Sequence, residues 1–121
     1  MEIITDIDAI PRLQNPVVTV GAFDGIHLGH RQIFETVKEY SRKINGVSVA
    51  VTFDPHPQMV LHPNSDFFQI FPLEEKIKLI KAENIDYLII IHFTKEFSQL
   101  SSERFLKDII IGKIGAKAIV M

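Results

Sequence analysis

A chain of 121 residues sets the scale of one domain, and its 46% apolar and 23% charged residues match a soluble globular protein. A net charge of −2 gives no broad basic surface for nucleic acid, and the lack of cysteine removes disulfides, thiolate catalysis and cysteine-based zinc sites. The start MEIITDIDAI lacks the basic segment of a signal peptide, and no apolar run is long enough for a bilayer, so the expectation is cytoplasmic, with no membrane or nucleic-acid partner.

Pro16 precedes VVTVG, a β-branched run that reads as a buried strand. From Leu28 to about Ile44, Ile33, Val37, Tyr40 and Ile44 recur at helical spacing between charged residues, and Asn45-Gly46 ends that helix. VSVAVTF (47–53) is a second strand. DPHPQMVLHPNSDFFQIF (54–71) reads as a long irregular stretch with three prolines, of the kind that is usually functional or disordered. PLEEKIKLIKAEN follows as a helix with Leu73, Ile77 and Ile80 on one face and Glu74, Glu75 and Lys76 on the solvated side. YLIII (87–91) is a third strand. SSERFLKDIII opens with hydroxyls suited to a helix N-cap and continues through Phe105, Leu106 and Ile109. AKAIVM (116–121) is a fourth strand. Strands alternating with helices imply right-handed crossovers and an α/β fold, a parallel sheet covered on both faces.

In such sheets ligands bind beyond the carboxyl ends of the strands, where helix N-termini point. GAFDGIHLGH (21–30) falls at that place. Its glycines at 21, 25 and 29 do not match G-x-G-x-x-G, and no lysine follows as in a P-loop. The physics is nevertheless related. Glycine admits close backbone approach, the helix N-terminus offers free N–H donors, and His27 and His30 add two more. Such a set of donors suits phosphate.

The H-x-G-H at 27–30 resembles the signature of the nucleotidyltransferase superfamily. With V-T-F-D-P-H-P at 51–57 and L-E-E-K at 73–76, the chain from about residue 15 to residue 121 resembles the N-terminal module of the bacterial bifunctional riboflavin kinase/FMN adenylyltransferases, the FAD synthetases. The resemblance implies a Rossmann-like sheet and transfer of AMP from ATP to FMN, giving FAD and pyrophosphate. It implies catalytic roles for His27 and His30, with ATP contacts from Gly21, Phe23, Asp24, Gly25, His27, Gly29 and His30. It further implies flavin contacts from Phe53, Asp54 and His56, and Mg2+ carried with ATP. ATP and FMN are the partners this implies.

Family members continue past the fourth strand into a second phosphate-binding segment and then a riboflavin kinase domain. Residues 1–121 are therefore expected to be the N-terminal part of the adenylyltransferase domain, inactive alone, with an apolar edge around Ile119 and Val120 through which it could dimerise. Other readings stand beside this one. A metal-dependent hydrolase could ligate its ion with His27, His30, Asp54 and His56. A non-catalytic nucleotide-binding module would need no second half-site. A nicotinamide oxidoreductase shares the fold class but not the glycine spacing. Asp24 could serve only as a turn or capping residue, Phe53 could be core, and His62 and His92 are read as incidental.

Overall fold

A computed structural model describes residues 1–23, 28–62 and 72–121, with Leu28, Gly29 and Gln58 described in backbone only. In chain order the elements are β1 (Glu2–Ile4), β2 (Val17–Val20), α1 (Leu28–Lys43), β3 (Ser48–Asp54), α2 (Pro57–Leu61), α3 (Leu73–Ala82), β4 (Tyr87–His92), α4 (Lys95–Ser98), α5 (Ser102–Arg104), a π-helix (Phe105–Lys113) and β5 (Ala118–Val120).

All strand pairs are parallel, in the order β1-β4-β3-β2-β5. The continuously apolar strands allow this, because both faces are covered. Along β3, Val49 and Val51 face one core with Ile89, Ile91 and, from the π-helix region, Ile109, Ile110 and Ile114. Ala50 faces the other, with Leu88, Ile90, Phe34 of α1 and Ile80 of α3. The chain steps from β2 through β3 to β4 on one side, then crosses back to place β5 on the other side of β2. The reversal puts the crossover point between β2 and β5, and it is beyond the carboxyl ends of the strands at such a point that α/β sheets bind ligands.

Four departures from the sequence pattern have physical reasons. A fifth strand, β1, pairs with β4, and three residues suffice for an edge that buries a single side chain, Ile4. The last strand is shorter than predicted, 118–120. The inner face of α1 is rotated from the predicted one: Phe34, Val37 and Ser41 are buried, whereas Tyr40 is 48% exposed with Lys43 over its ring at 5.7 Å. The helix after Ser101 is wound as a π-helix. Ser101 caps the short α5 that leads into it, accepting from the Arg104 N–H at 3.1 Å, so the predicted N-cap is present. The wider winding then puts Ile109 and Ile114, five residues apart, on the sheet and turns Leu106 outward to 40% exposure. Within the predicted irregular stretch, residues 57–61 form α2 and residues 63–71 lie outside the described residues.

The amino-terminal end of the sheet is closely tied. The Val47 N–H donates to the Gln14 carbonyl at 3.0 Å, and the Lys117 N–H to the Pro16 carbonyl at 2.8 Å. Gln14 Nε2 and Asn15 Nδ2 donate to the carbonyls of Asn45 and Ile44 at 2.6 and 3.0 Å. Asn45 takes the left-handed conformation (φ 56°) that ends α1. Gly46 then lies so close to the preceding strand's lead-in that a Cβ would sit 2.0 Å from the Asn15 carbonyl oxygen. Asp86 bridges β3 and β4: its Oδ2 accepts from the Ser48 N–H at 2.9 Å and the Ser48 hydroxyl at 3.1 Å, while Ser48 Oγ accepts from the Asp86 N–H at 2.9 Å.

Candidate active site

The turn after β2 begins inside the sheet ladder, with the Gly21 N–H donating to the Val51 carbonyl at 3.0 Å. Thr52, buried on β3, donates its hydroxyl to the Ala22 carbonyl at 3.3 Å. The chain then turns through Phe23, whose backbone is left-handed (φ 50°) although it is not glycine. Its ring is 7% exposed and packs edge-on to His30 (centroids 5.6 Å apart, 82° between planes) and against Phe34 at 5.2 Å. Gly21 has a local reason as well: a Cβ there would meet the Phe23 ring at 3.0 Å. The Phe23 ring occupies the space at this glycine, which by itself accounts for the lack of a side chain there.

His30 lies in the first turn of α1, at the carboxyl end of the sheet. Its spacing of four to Phe34 and seven to Val37 puts it on the helix's inner face. Asp24, Gly25 and His27 lie outside the described residues, and Gly29 is described only as part of α1. His30 and Phe23 line a small cavity with Phe34, Ile80, Glu83 and Lys76. Lys76 is 1% exposed, contrary to its predicted place on a solvated face, whereas Glu74 and Glu75 are exposed as predicted. The signal was present in the spacing: Lys76 follows Leu73 by three and precedes Ile80 by four, which is the inner stripe of α3. Glu83, also at this seam, faces Arg31 of α1, with Oε1 and Nε 3.7 Å apart.

Strand alternation puts Asp54, like Thr52, on the sheet face that carries Phe23 and His30. The Asp54 carbonyl accepts from the Phe93 N–H at 3.3 Å, and the Asp54–Pro55 peptide is cis. His56 is 7% exposed, and its carbonyl accepts the Met59 N–H as α2 begins. Phe53 faces the other way. It joins an aromatic group with Phe93, Phe97 and Phe105, ring centroids 5.8 to 6.2 Å from its own. The structure thus brings Gly21, Phe23, His30 and Asp54 to one face at one end of the sheet and sets Phe53 on the opposite face. His92 pairs in register with Asp54 but is exposed.

Among the described residues no three His, Cys, Asp or Glu side chains gather as a metal site. An open cleft of about 740 Å³ lies at the amino-terminal end of the sheet, between residues 10–16 and 112–117. Its Lys113 and Lys117 flank the carbonyl end of the π-helix, where cations offset the helix dipole, so size alone does not mark it as the site. Among the described residues no helix is long and apolar enough to cross a membrane.

The sequence model of the FAD synthetase family matches residues 9–121. A bifunctional riboflavin kinase/FMN adenylyltransferase of Buchnera aphidicola from Acyrthosiphon pisum is 37% identical across the whole chain, which spans 39% of that protein. Its counterpart in Bacillus subtilis is 37% identical over 79% of the chain and 31% of its own length, and that of Listeria monocytogenes 32% identical over 80% and 31%. A crystal structure described as a macrolide-efflux protein of Streptococcus pneumoniae superimposes with a TM-score of 0.83 and 30% identity, covering 98% of this chain and 46% of that one. The chain spans about two fifths of the length of the Buchnera relatives it matches. The family match over residues 9–121, carried on a parallel α/β sheet with a histidine-bearing turn beside its crossover point, shows that the chain belongs to the FAD synthetase family.

Proposed function

We propose that residues 1–121 form part of a cytoplasmic FMN adenylyltransferase domain that transfers AMP from ATP to FMN, giving FAD and pyrophosphate. The observation that carries this reading is the position of His30: in the first turn of α1, beside the sheet's crossover point, on the face that also carries Asp54. A terminal phosphate oxygen of FMN attacks the α-phosphorus of ATP. The new P–O–P bond forms as the bond from the α-phosphorus to pyrophosphate breaks. The FMN phosphate is already ionised at neutral pH, so the site has no nucleophile to deprotonate. Its task is to align two anions and to offset charge on the departing pyrophosphate.

In this reading His27 and His30 donate to ATP phosphate oxygens, and the backbone of the turn from Gly21 through Asp24, Gly25 and Gly29 cradles them. Phe23 acts from beneath, as the packed base of the turn. Mg2+ arrives with the ATP, held mainly by phosphate oxygens and water as that ion prefers. Asp54 and His56, at the end of β3, stand on the flavin side. Phe53 supports them through the aromatic group with Phe93, Phe97 and Phe105.

The test is FMN-dependent pyrophosphate release and FAD formation by the protein as its gene encodes it, together with an NMR titration of residues 1–121. MgATP should shift the amide resonances of Gly21, Phe23 and His30 ahead of those around the amino-terminal cleft. Tighter binding of NAD than of ATP, or FAD formation unaffected by loss of both histidines, would overturn the assignment.

A further inference from the structure

Thr52 carries a hydroxyl into the core near the carboxyl end of β3, between Val51 and Phe53, with no exposed surface. Valine has the same shape and would fill that place without burying a polar group. The hydroxyl is therefore the feature to explain. It reaches across to the neighbouring chain segment and donates to the Ala22 carbonyl at 3.3 Å. The backbone bond from the Gly21 N–H to the Val51 carbonyl comes immediately before it. A side chain thus extends the join between β2 and β3 by one more residue, into the turn.

Two observations show what that bond can set. In a trans peptide the carbonyl and the following N–H point in opposite directions. β3 lies on one side of β2 and β5 on the other, so an Ala22 carbonyl held toward β3 turns the Phe23 N–H toward the β5 side, where the strand order reverses. Phe23 is also the residue whose backbone is left-handed, at φ 50°. A bulky residue keeps that conformation only where its surroundings over-determine it. The Phe34 ring, 5.2 Å away, holds the Phe23 side chain, and the Thr52 hydroxyl holds the peptide that precedes it.

We propose that Thr52 is a positioning residue: by holding the Ala22 carbonyl it orients the Ala22–Phe23 peptide, so that the Phe23 N–H is presented as a donor to the phosphates of ATP. It touches no substrate itself. The inference rests on the reading of the turn after β2 as the ATP phosphate site. A distance of 3.3 Å is long for a hydroxyl donor, so the bond biases the peptide rather than locking it. An ordinary hydrogen bond shifts such a balance about 3- to 10-fold, well short of the effect of about 10²–10³ when a donor is removed outright.

Thr52→Val removes the donor and keeps the shape, whereas Thr52→Ser keeps the donor. Ala22–Phe23 is the sole Ala–Phe pair in the sequence, so labelling alanine with carbonyl 13C and phenylalanine with 15N gives one peptide correlation in the NMR spectrum of the 121-residue chain. Without ligand, that carbonyl and its N–H should move in Thr52→Val and stay near the parent positions in Thr52→Ser. In the protein as its gene encodes it, FMN-dependent pyrophosphate release at limiting MgATP should fall about 3- to 10-fold in Thr52→Val and return to within about twofold in Thr52→Ser, with KM for FMN unchanged. An unmoved Ala22–Phe23 peptide in Thr52→Val would overturn the proposal. So would a loss shared equally by Thr52→Ser, or one matched by a rise in KM for FMN, since either marks a role in packing alone. If Thr52→Val does not fold, Thr52→Ala, which also lacks the donor, replaces it under the same criteria. A parent protein that neither binds MgATP nor releases pyrophosphate would overturn the reading of the turn, and with it the part of the proposal that concerns ATP. The ligand-free peptide resonances decide the rest.

Discussion

Asp86→Ala should weaken the fold at the base of the central strand pair. The Asp86 carboxylate accepts both the backbone N–H and the hydroxyl of Ser48, a residue only 1% exposed. With the carboxylate gone the hydroxyl can rotate, but the Ser48 N–H is fixed by the strand and loses its acceptor. A buried donor left unsatisfied costs about 1–3 kcal/mol, and bonds to a charged group sit at the upper end of the net range. Asp86 itself is exposed, so water reaches part of the gap and the middle of the range applies, about 2 kcal/mol. For a domain of this size that lowers the thermal midpoint by about 6–10 °C. In urea the unfolding midpoint should fall by about 1 M with an unchanged slope. Circular dichroism of the two transitions is the assay. Asp86→Asn keeps one acceptor and should lose about half as much, and a cycle with Ser48→Ala should show a coupling of about 1 kcal/mol or more. An Asp86→Ala protein within about 0.5 kcal/mol of the parent, or one indistinguishable from Asp86→Asn, would refute the reasoning.

His27→Ala and His30→Ala should each lower FAD formation about 10²–10³-fold with the fold intact, falling on turnover more than on FMN affinity, as measured by steady-state kinetics with each substrate varied. Gly46→Ala should cost about 3 kcal/mol in urea unfolding, because its Cβ would strike the Asn15 backbone rather than a side chain that can swing away. The Glu35 carboxyl should titrate below the usual glutamate range by NMR, through its hydrogen bond and charge interaction with Lys38. A depressed folded-state value means that the pair's contribution is present at neutral pH and fades as pH falls through that value, and Lys38→Met should return the titration to normal.

The central strands were legible because β-branched runs such as VVTV and VSVAV have no other economical fate than a sheet buried on both faces. The stretch 21–30 stood out in the sequence for a different reason: glycine, histidine and strand end coincide there, and the structure describes its two ends, residues 21–23 and the start of α1. β1 was not, since three residues at an edge need only one inward side chain and leave no periodic trace. The π-winding after Ser101 was hidden because FLKDIII satisfies a 3.6-residue period nearly as well as a wider one, and only the seating of Ile109 and Ile114 on the sheet decides between them. Lys76 was misread by residue type: its spacing marked the inner stripe of α3, but a lysine is assigned to water by default. At Phe53 alternation chose the face, and the face opposite His30 is the one that received three further phenylalanines.

The ties at the amino-terminal end of the sheet have a consequence for how motion is distributed. Gln14, Asn15 and Pro16 are bonded to the ends of the connections that lead into β3 and β5, and Ser48 with Asp86 locks the next strand pair at the same level. The strands are thus clamped like reeds at one end, with the candidate site at the other. Amide protons near the clamp, such as those of Val47 and Lys117, should exchange with deuterium only when the whole domain opens. Those of Gly21 and Phe93, at the other end, should exchange through smaller local openings, so protection should decline along each central strand toward the site. A nucleotide seated at the free ends would level that gradient, and its bound lifetime could be followed in the exchange of those few amides alone.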